Sequence, residues 1–381
     1  MSSFAVKGWC PDAWHPMMAG DGLLVRVKPR LGRLTRAQVL GLCDAAVVHG
    51  NGLIDMTARA NLQLRGVPET GWQALLDRLL VLDLVDPDPV IEQRRNILVA
   101  PDWRVGDDSH RIAGALLTRL DELPDLLGKV GFAIDAGQTC ILGGEAGDFR
   151  IERGGDGGLI LRADGRATGM AVAAGREVDA LIALAHWFAA SGGAKAGRMA
   201  RHRLVLPEWA CGDILPAPSA ACIVPGLHDL GLRDGSWAYG LPFGRIEARI
   251  LAGMVEASPA AAVRITPWRV LLVEGAPAVC AGGLIDNPAD PLLHVDACPG
   301  APCCPQASVE TRDLARRLAP HVAGRLHVSG CAKGCARQRA ADVTLTGRDG
   351  LFDLSLNAPA GALPVRSALS PAELLAHFGA A

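Results

Sequence analysis

Residues 20–67, GDGLLVRVKPRLGRLTRAQVLGLCDAAVVHGNGLIDMTARANLQLRGV, read as strand, turn, helix, turn, strand. Leu23 to Val27 is an apolar strand. Thr35 stands where a helix N-cap belongs, with Val39, Leu40 and Cys43 on one helical face. Gly50-Asn51-Gly52 ends the helix and turns the chain into a strand from Leu53. Residues 235–276, GSWAYGLPFGRIEARILAGMVEASPAAAVRITPWRVLLVEGA, repeat that order: Ile246, Ile250 and Met254 carry the helical period, and Val263 to Val273 is the second strand. The ends of the two units align, IDMTARANLQLRGV against VRITPWRVLLVEGA. A unit repeated half a chain apart predicts a pseudo-twofold arrangement.

Each unit is followed by a mixed segment. The first, from about Pro68 to Arg203, shows strands at Asn96–Val99, Gly131–Ile134, Leu159–Arg162 and Gly169–Val172, with helices at Gly71–Leu80 and Glu177–Ala190. A Pro-rich linker, LPEWACGDILPAPSAACIVPG, leads into the second half. The second mixed segment begins near Gly282. It shows a helix at Ser308–Leu318, strands at Leu326–Val328, Val343–Thr346 and Phe352–Leu356, and a last helix with Ser370 as N-cap and Pro371 at its first position. The predicted class is α+β, with half repeats at 12–67 and 231–281 and mixed domains at 68–230 and 282–381.

Composition narrows the function. The chain has 381 residues, is 50% hydrophobic and carries a net charge of −2, enough for two or three packed units and without the basic excess of a nucleic-acid binder. The N-terminus, MSSFAVKGWCPDAW, lacks a basic region followed by an apolar core, and the most apolar helix, ALIALAHWFAA at 180–190, is too short to span a bilayer. Neither a membrane nor a secreted location is expected. Eleven cysteines, an odd number, fit a reducing cytoplasm in which thiols bind metals instead of forming disulfides.

Four of those thiols are paired by spacing. Cys298 and Cys304 lie in DACPGAPCCPQA, a C-x5-C spacing, and Cys331 and Cys335 in HVSGCAKGCARQ, a C-x3-C spacing. Thiolates select zinc, copper(I) or iron–sulfur clusters. Structural zinc sites usually open with C-x2–4-C pairs, so the wider first pair favours a [4Fe–4S] cluster. Cys303 is either a spare thiol or an alternative ligand. Cys43, Cys140, Cys211, Cys222 and Cys280 stand singly and read as packing.

The pattern C-x5-C…G-C-x-x-G-C-x-R resembles the cluster-binding half of sirohaem sulfite and nitrite reductases. Those enzymes carry Pro-Asn between the last two cysteines, where this chain has Ala332-Lys333. The form with CPGAPxCPQA upstream and AKGC is similar to the precorrin-3B synthase family, monooxygenases of aerobic cobalamin biosynthesis in the same superfamily. The resemblance implies two ferredoxin-like half repeats and two α/β mixed domains around a central tetrapyrrole pocket.

A tetrapyrrole rim carries carboxylates, and several fixed cations, preferably forked arginines, are needed to bind it. By resemblance, Arg59 stands at the arginine of the reductases' TTRQ motif, with Thr57, Gln63 and Gly66 also matching; Arg95 and Asn96 match an R-N pair, to which Arg94 adds charge; and Lys129 is the first lysine of a K-x-K strand whose second lysine is Gly131 here. Arg65, Arg245, Arg269 and Arg337 are weaker candidates, and Arg26 and Lys28, alternating on a strand, read as facing water.

The implied reaction is O2-dependent hydroxylation of precorrin-3A at C20 with γ-lactone formation. It would use the cluster, a mononuclear non-haem iron and no sirohaem, with electrons from NADH through a separate reductase or ferredoxin. No ligand set for the mononuclear iron stands out: His15, His49, His294 and His327 lie near motif segments, and each reads as structural. No G-x-G-x-x-G follows a strand, so no nicotinamide or flavin fold is expected. The rival readings are a sirohaem-dependent sulfite or nitrite reductase, and a non-catalytic Fe–S carrier or tetrapyrrole-binding scaffold.

Overall fold

A computed structural model describes residues 10–218, 236–275 and 282–380. The first half repeat contains β1 (Met17–Ala19), β2 (Gly22–Val27), β3 (Arg33–Thr35), α1 (Arg36–His49), β4 (Leu53–Met56) and β5 (Leu62–Val67). After it come α2 (Trp72–Val81), α3 (Pro89–Arg94), β6 (Ile97–Val99), α4 (Asp108–Leu117), β7 (Phe132–Asp135), β8 (Phe149–Arg153), β9 (Leu159–Ala163), β10 (Met170–Val172), α5 (Glu177–Ala190) and α6 (Gly193–Ala196). The second half repeat contains β11 (Trp237–Gly240), β12 (Arg245–Glu247), α7 (Ala248–Glu256), β13 (Ala262–Ile265) and β14 (Val270–Glu274). The chain ends with β15 (Val295–Ala297), α8 (Arg312–Leu318), β16 (Leu326–Ser329), β17 (Ala341–Arg348), β18 (Leu351–Ala358), β19 (Arg366–Leu369) and α9 (Pro371–His377).

Thr35 does cap α1, accepting from the Gln38 amide while the Gln38 side chain returns to the Thr35 amide. The two half repeats exchange strands. β12 of the second pairs with β4 in the sheet β1-β2-β5-β4-β12, and β3 of the first pairs with β13 in the sheet β11-β14-β13-β3. Val39 and Leu42 of α1, Leu251 and Val255 of α7 and residues from both sheets therefore share one core.

The repeat extends to backbone detail. Leu31 and Phe243, just before the exchanged strands, both adopt left-handed conformations, at φ 53° and 56°. The Thr57 hydroxyl accepts from the amides of Arg59 and Asn61, and the Thr266 hydroxyl from those of Trp268 and Val270. Ala60 and Arg269 then share φ values of 51° and 63°. These turns correct the expectation of one strand from Val263 to Val273, since Thr266 folds the chain into β13 and β14. Ile246 likewise lies in β12 and not in the helix.

The two mixed domains repeat a second topology. In β10-β9-β8-β7-β6 and in β15-β16-β17-β18-β19, three parallel strands continue into two antiparallel ones. Asp148 before β8 accepts from the Gly131 amide at 3.0 Å, and Asp342 in β17 accepts from the equivalent Arg325 amide at 2.6 Å. Three strands of these two domains are absent from the sequence reading: β8, β15 and β19. The first, FRIER, hides because Arg150 and Glu152 are fully buried and ion-paired at 2.7 Å, so its inward face does not look apolar. The helix expected from Ser308 starts only at Arg312, after a loop that carries the first thiol pair.

One ionic cluster ties three units together. Asp55 on β4 receives Arg245 of the exchanged β12 at 2.7 Å, Arg65 of β5 at 3.4 Å and Arg312 of α8 at 3.7 Å. Burial alone would raise its carboxyl. The Arg245 hydrogen bond and the charges of Arg245, Arg312 and Arg65 outweigh burial and hold it below the usual aspartate range. Asp55→Asn leaves three guanidinium groups around an uncharged amide and is expected to cost about 3–5 kcal/mol of stability, checked by denaturant unfolding at pH 7. Because the folded pKa is depressed, the stabilisation is present above the unfolded value of about 3.9 and disappears as pH falls through the folded one, so mutant and wild-type stabilities should converge in acid.

Candidate functional site

The four paired thiols gather beyond the carboxyl ends of parallel strands, the place where open α/β sheets bind ligands. Cys298 follows β15 directly and Cys331 follows β16 by two residues. The Cys298 thiol accepts from the Gly330 amide at 3.2 Å, and Ser329 Oγ donates to the Cys331 carbonyl at 2.7 Å. Although Cys335 is exposed at its surface, the protein around it displaces water from the thiol and pushes it up to about 11; Lys333 opposes this, while Cys298, Cys331 and Cys304 add to it. Cys298 is raised by burial and, more weakly, by Cys304 and Cys331. The four thiols thus interact with one another, and a cationic centre would relieve them by stabilising the thiolates.

Cys303 turns elsewhere. Its carbonyl accepts from Gly20 and Arg65, at 3.0 and 3.4 Å, and Arg65 is the charge that its thiol affects. Gly20 is required at this contact because a Cβ there would stand 2.1 Å from the Pro302 carbonyl. Among the described residues no three His, Cys, Asp or Glu side chains are placed to hold a single metal ion. The four-thiol set fits a multi-iron cluster in donor chemistry and is not a ready single-ion site.

A second cluster of groups is cationic. The Thr57 turn presents Arg59 into a cleft lined also by Asn61, Asn96, Lys129, Gly131, Asp148 and Arg198. Asp148 is already occupied, accepting from Arg198 Nε at 2.9 Å and from the amides of Met199 and Gly131. Burial lowers the Arg59 pKa, and the charges of Arg198 and Arg26 lower it further. Among the described residues no carboxylate hydrogen-bonds Arg59 or Lys129. Beside this cleft, sharing Asn96 with it, lies a cavity of ≈ 530 Å³ walled by the 10–16 segment, Arg26, Lys28, Gln93 and Gly128. That volume is in the range of small-molecule sites.

Of the expected binding residues, Arg59, Lys129 and Asn96 come together here, and the others serve different ends. Arg95 is only 4% exposed; it pairs with Glu92 at 3.0 Å and donates to the carbonyls of Lys28 and Leu84. Arg94 turns away to the carbonyls of Leu120 and Asp121 and to Asp125. Thr57 shapes the turn, Asn96 is braced to the carbonyls of Gln93, Gly128 and Val130, and Gln63 sits half-buried on β5 between Arg26 and Asp55.

The weaker arginines Arg65, Arg245, Arg269 and Arg337 are engaged with Asp21, Asp55 or Asp296. Lys28, expected in water, is 6% exposed with Nζ on the Glu92 carbonyl, and burial lowers its pKa. Arg198 was missed because nothing local marks it; its partner Asp148 is fifty residues away. Among the single cysteines, Cys43 and Cys140 are buried, Cys211 is exposed against expectation, and Cys222 and Cys280 lie outside the described residues.

Residues 15–82 match the family model described as Nitrite/Sulfite reductase ferredoxin-like half domain. The fold is similar to that of the Mycobacterium tuberculosis NirA protein, with a TM-score of 0.61 and 18% identity, covering 92% of this chain and 78% of that one. The half-domain match and the structural similarity together show a nitrite/sulfite-reductase-like α+β fold with a ferredoxin-like half domain. A precorrin-3B synthase from Sinorhizobium sp is 31% identical over 395 residues, covering 94% of this chain and 84% of the relative. The chain belongs to the precorrin-3B synthase family. No helix among the described residues is long and apolar enough to cross a membrane.

The departure at Gly131 has a steric counterpart. A Cβ there would lie 2.8 Å from the Asn96 carbonyl oxygen, so any side chain at this position must displace the strand that borders the cleft. Gly131→Ala is expected to cost about 1–3 kcal/mol, checked by denaturant unfolding against Gly106→Ala. That control position has open space around its Cβ but a φ of 91°, so its penalty is conformational and not steric.

Proposed function

We propose that this protein is an O2-dependent monooxygenase that hydroxylates precorrin-3A at C20 and closes a γ-lactone, a step of aerobic cobalamin biosynthesis. The observation that carries this reading is the cleft of Arg59, Lys129 and Arg198, in which the one lining carboxylate, Asp148, bonds Arg198 and leaves the other two cations without a carboxylate hydrogen bond among the described residues. Such an excess suits a ligand with several carboxylates, which forked and point-charge cations bind by charge-assisted hydrogen bonds. The membership of the chain in the precorrin-3B synthase family supports the choice of ligand.

Cys298, Cys304, Cys331 and Cys335 would hold a [4Fe–4S] cluster, which supplies single electrons received from NADH through a reductase or ferredoxin. The chain's own residues bind and orient the substrate: Arg59 and Lys129 take rim carboxylates, the Thr57 hydroxyl fixes the turn that aims Arg59, and Asp148 holds Arg198 at the cleft wall. A mononuclear iron held by two histidines and a carboxylate does not fit the described residues, which assemble no such group. Gly131 and Ala332-Lys333, where the reductases carry lysine and Pro-Asn, argue against six-electron reduction of a small oxyanion.

The deciding experiment is the absorption spectrum of anaerobically purified protein before and after acid–acetone extraction, followed by turnover of precorrin-3A under 18O2. An iron–sulfur band without extractable tetrapyrrole, and one labelled oxygen in the product, are expected; extractable sirohaem would make the protein a sulfite or nitrite reductase. Serine at Cys298, Cys304, Cys331 or Cys335 should abolish the iron–sulfur absorption, and Cys303→Ser should retain it. Arg59→Ala and Lys129→Ala should each weaken precorrin-3A binding by roughly ten- to a hundredfold, the size of one lost charge-assisted hydrogen bond, measured by anaerobic titration.

A further inference from the structure

The reaction proposed above needs protons as well as electrons. With the acetate side chain entering as carboxylate, substrate, O2, two electrons and three protons give product and water. The O–O bond breaks, one oxygen becomes the C20 hydroxyl and the other leaves as water. The acetate oxygen bonds to the ring, and the donor is oxidised by two electrons. No proton source has yet been assigned, and the cleft groups Arg59, Lys129 and Arg198 are there to hold charge.

Ten histidines are present, and their surroundings leave one suited to carry protons. His327 is fully buried without access to water. His110 lies against Trp103, His202 bonds Ser191 among aromatic rings, His186 bonds the Glu122 carbonyl and His377 contacts Arg366. His49, His294 and His321 lie at helix ends, and His228 is outside the described residues. His15 alone lines one of the cavities described above, while remaining 63% exposed.

Asp12 stands beside it. Asp12, itself 5% exposed, accepts from the His15 amide at 2.6 Å, and its carboxylate lies 3.3 Å from the ring Nδ1. The Asp12 amide in turn donates to the His15 carbonyl, and the Asp12 carbonyl receives the Arg26 amide of β2. A histidine held by its backbone beside a carboxylate and open to both solvent and a cavity is placed to pass protons between them. The groups facing the pair are Cys10 on its own segment, Arg26 and Lys28 on β2, Gln93 on α3 and Asn96 before β6. The segment is anchored around the pair by Trp72 Nε1 on the Ala13 carbonyl, Trp14 Nε1 on the Asp86 carbonyl and Gly20 on Cys303.

We infer that His15, positioned by Asp12 at the edge of this cavity, is the proton-delivering residue of the oxygenation, taking protons from solvent and passing them to the reducing oxygen. The inference rests on the monooxygenase reading. The test compares wild type, His15→Ala, His15→Gln and Asp12→Asn in O2-dependent turnover of precorrin-3A, with added imidazole and in D2O across about pH 4.5–8.5, roughly two units either side of free histidine.

His15→Ala and His15→Gln are expected to lose about 100-fold in kcat, with the anaerobic precorrin-3A Kd and the iron–sulfur spectrum unchanged. Imidazole should restore His15→Ala, the solvent isotope effect should rise in both variants, and Asp12→Asn should fall between. Unimpaired kcat in His15→Ala, or a loss that imidazole does not restore and that leaves the isotope effect unmoved, overturns the inference. A wild type without O2-dependent turnover overturns the functional reading, and this inference with it.

Discussion

Everything in this fold depends on the exchange of one short strand between two half repeats. Neither unit can complete its own sheet: β3 leaves the first to pair with β13, and β12 leaves the second to pair with β4. A four- or five-stranded sheet that buries one face is stable where a smaller fragment is not, so each half supplies what the other lacks. Asp55 adds an electrostatic latch to that exchange, joining Arg245 on the incoming strand to Arg65 beside it and Arg312 in the thiol-bearing domain. The thiol loop and the cationic cleft are therefore referenced to one rigid centre, which a site with exacting geometry requires.

The duplicated mixed domains show how one topology serves two tasks. In the C-terminal copy, the loops beyond the carboxyl ends of β15 and β16 carry the thiol pairs. In the N-terminal copy, the corresponding loop after β7 folds back on its sheet, held by Asp135 to the amides of Ile141 and Leu142 and by Arg150 to the carbonyls of Leu142 and Glu145. Its opposite edge, before β6, β7 and β8, borders the cleft with Asn96, Lys129, Gly131 and Asp148. Buried charge in this copy is compensated pair by pair, as for Arg150, Arg162 and Glu152, and in the cleft Arg198 has Asp148, whereas Arg59 and Lys129 have no carboxylate hydrogen bond among the described residues. A set of uncompensated cations, costly without a ligand, is the physical mark that separates a binding surface from a structural network.

Several features could be read from the chain because they are local. The Thr35 cap acts within four residues, and the thiol pairs lie within a few residues of each other. The alignment of the two repeats proved correct to the hydrogen bond, although the turn inside the second was read as unbroken strand. Strand β8 and the start of α8 were misread where burial of charge, or a thiol-bearing loop, replaced the usual periodicity.

The sequence by itself determined the α+β class, the internal duplication and the spacing of the two thiol pairs, since each is written in short-range pattern. Only the tertiary structure decided which cations are committed and which are free. Arg94, Arg95, Lys28, Arg59 and Arg198 all read simply as cations. Arg95 pairs with Glu92 three residues away, but the partners of the others that are engaged stand far along the chain: Asp125 for Arg94, Glu92 for Lys28, Asp148 for Arg198, and for Asp55 an arginine 190 residues away. Charge pairing is a through-space interaction in a medium whose dielectric depends on burial, and neither the partner nor the burial exists until the chain has folded.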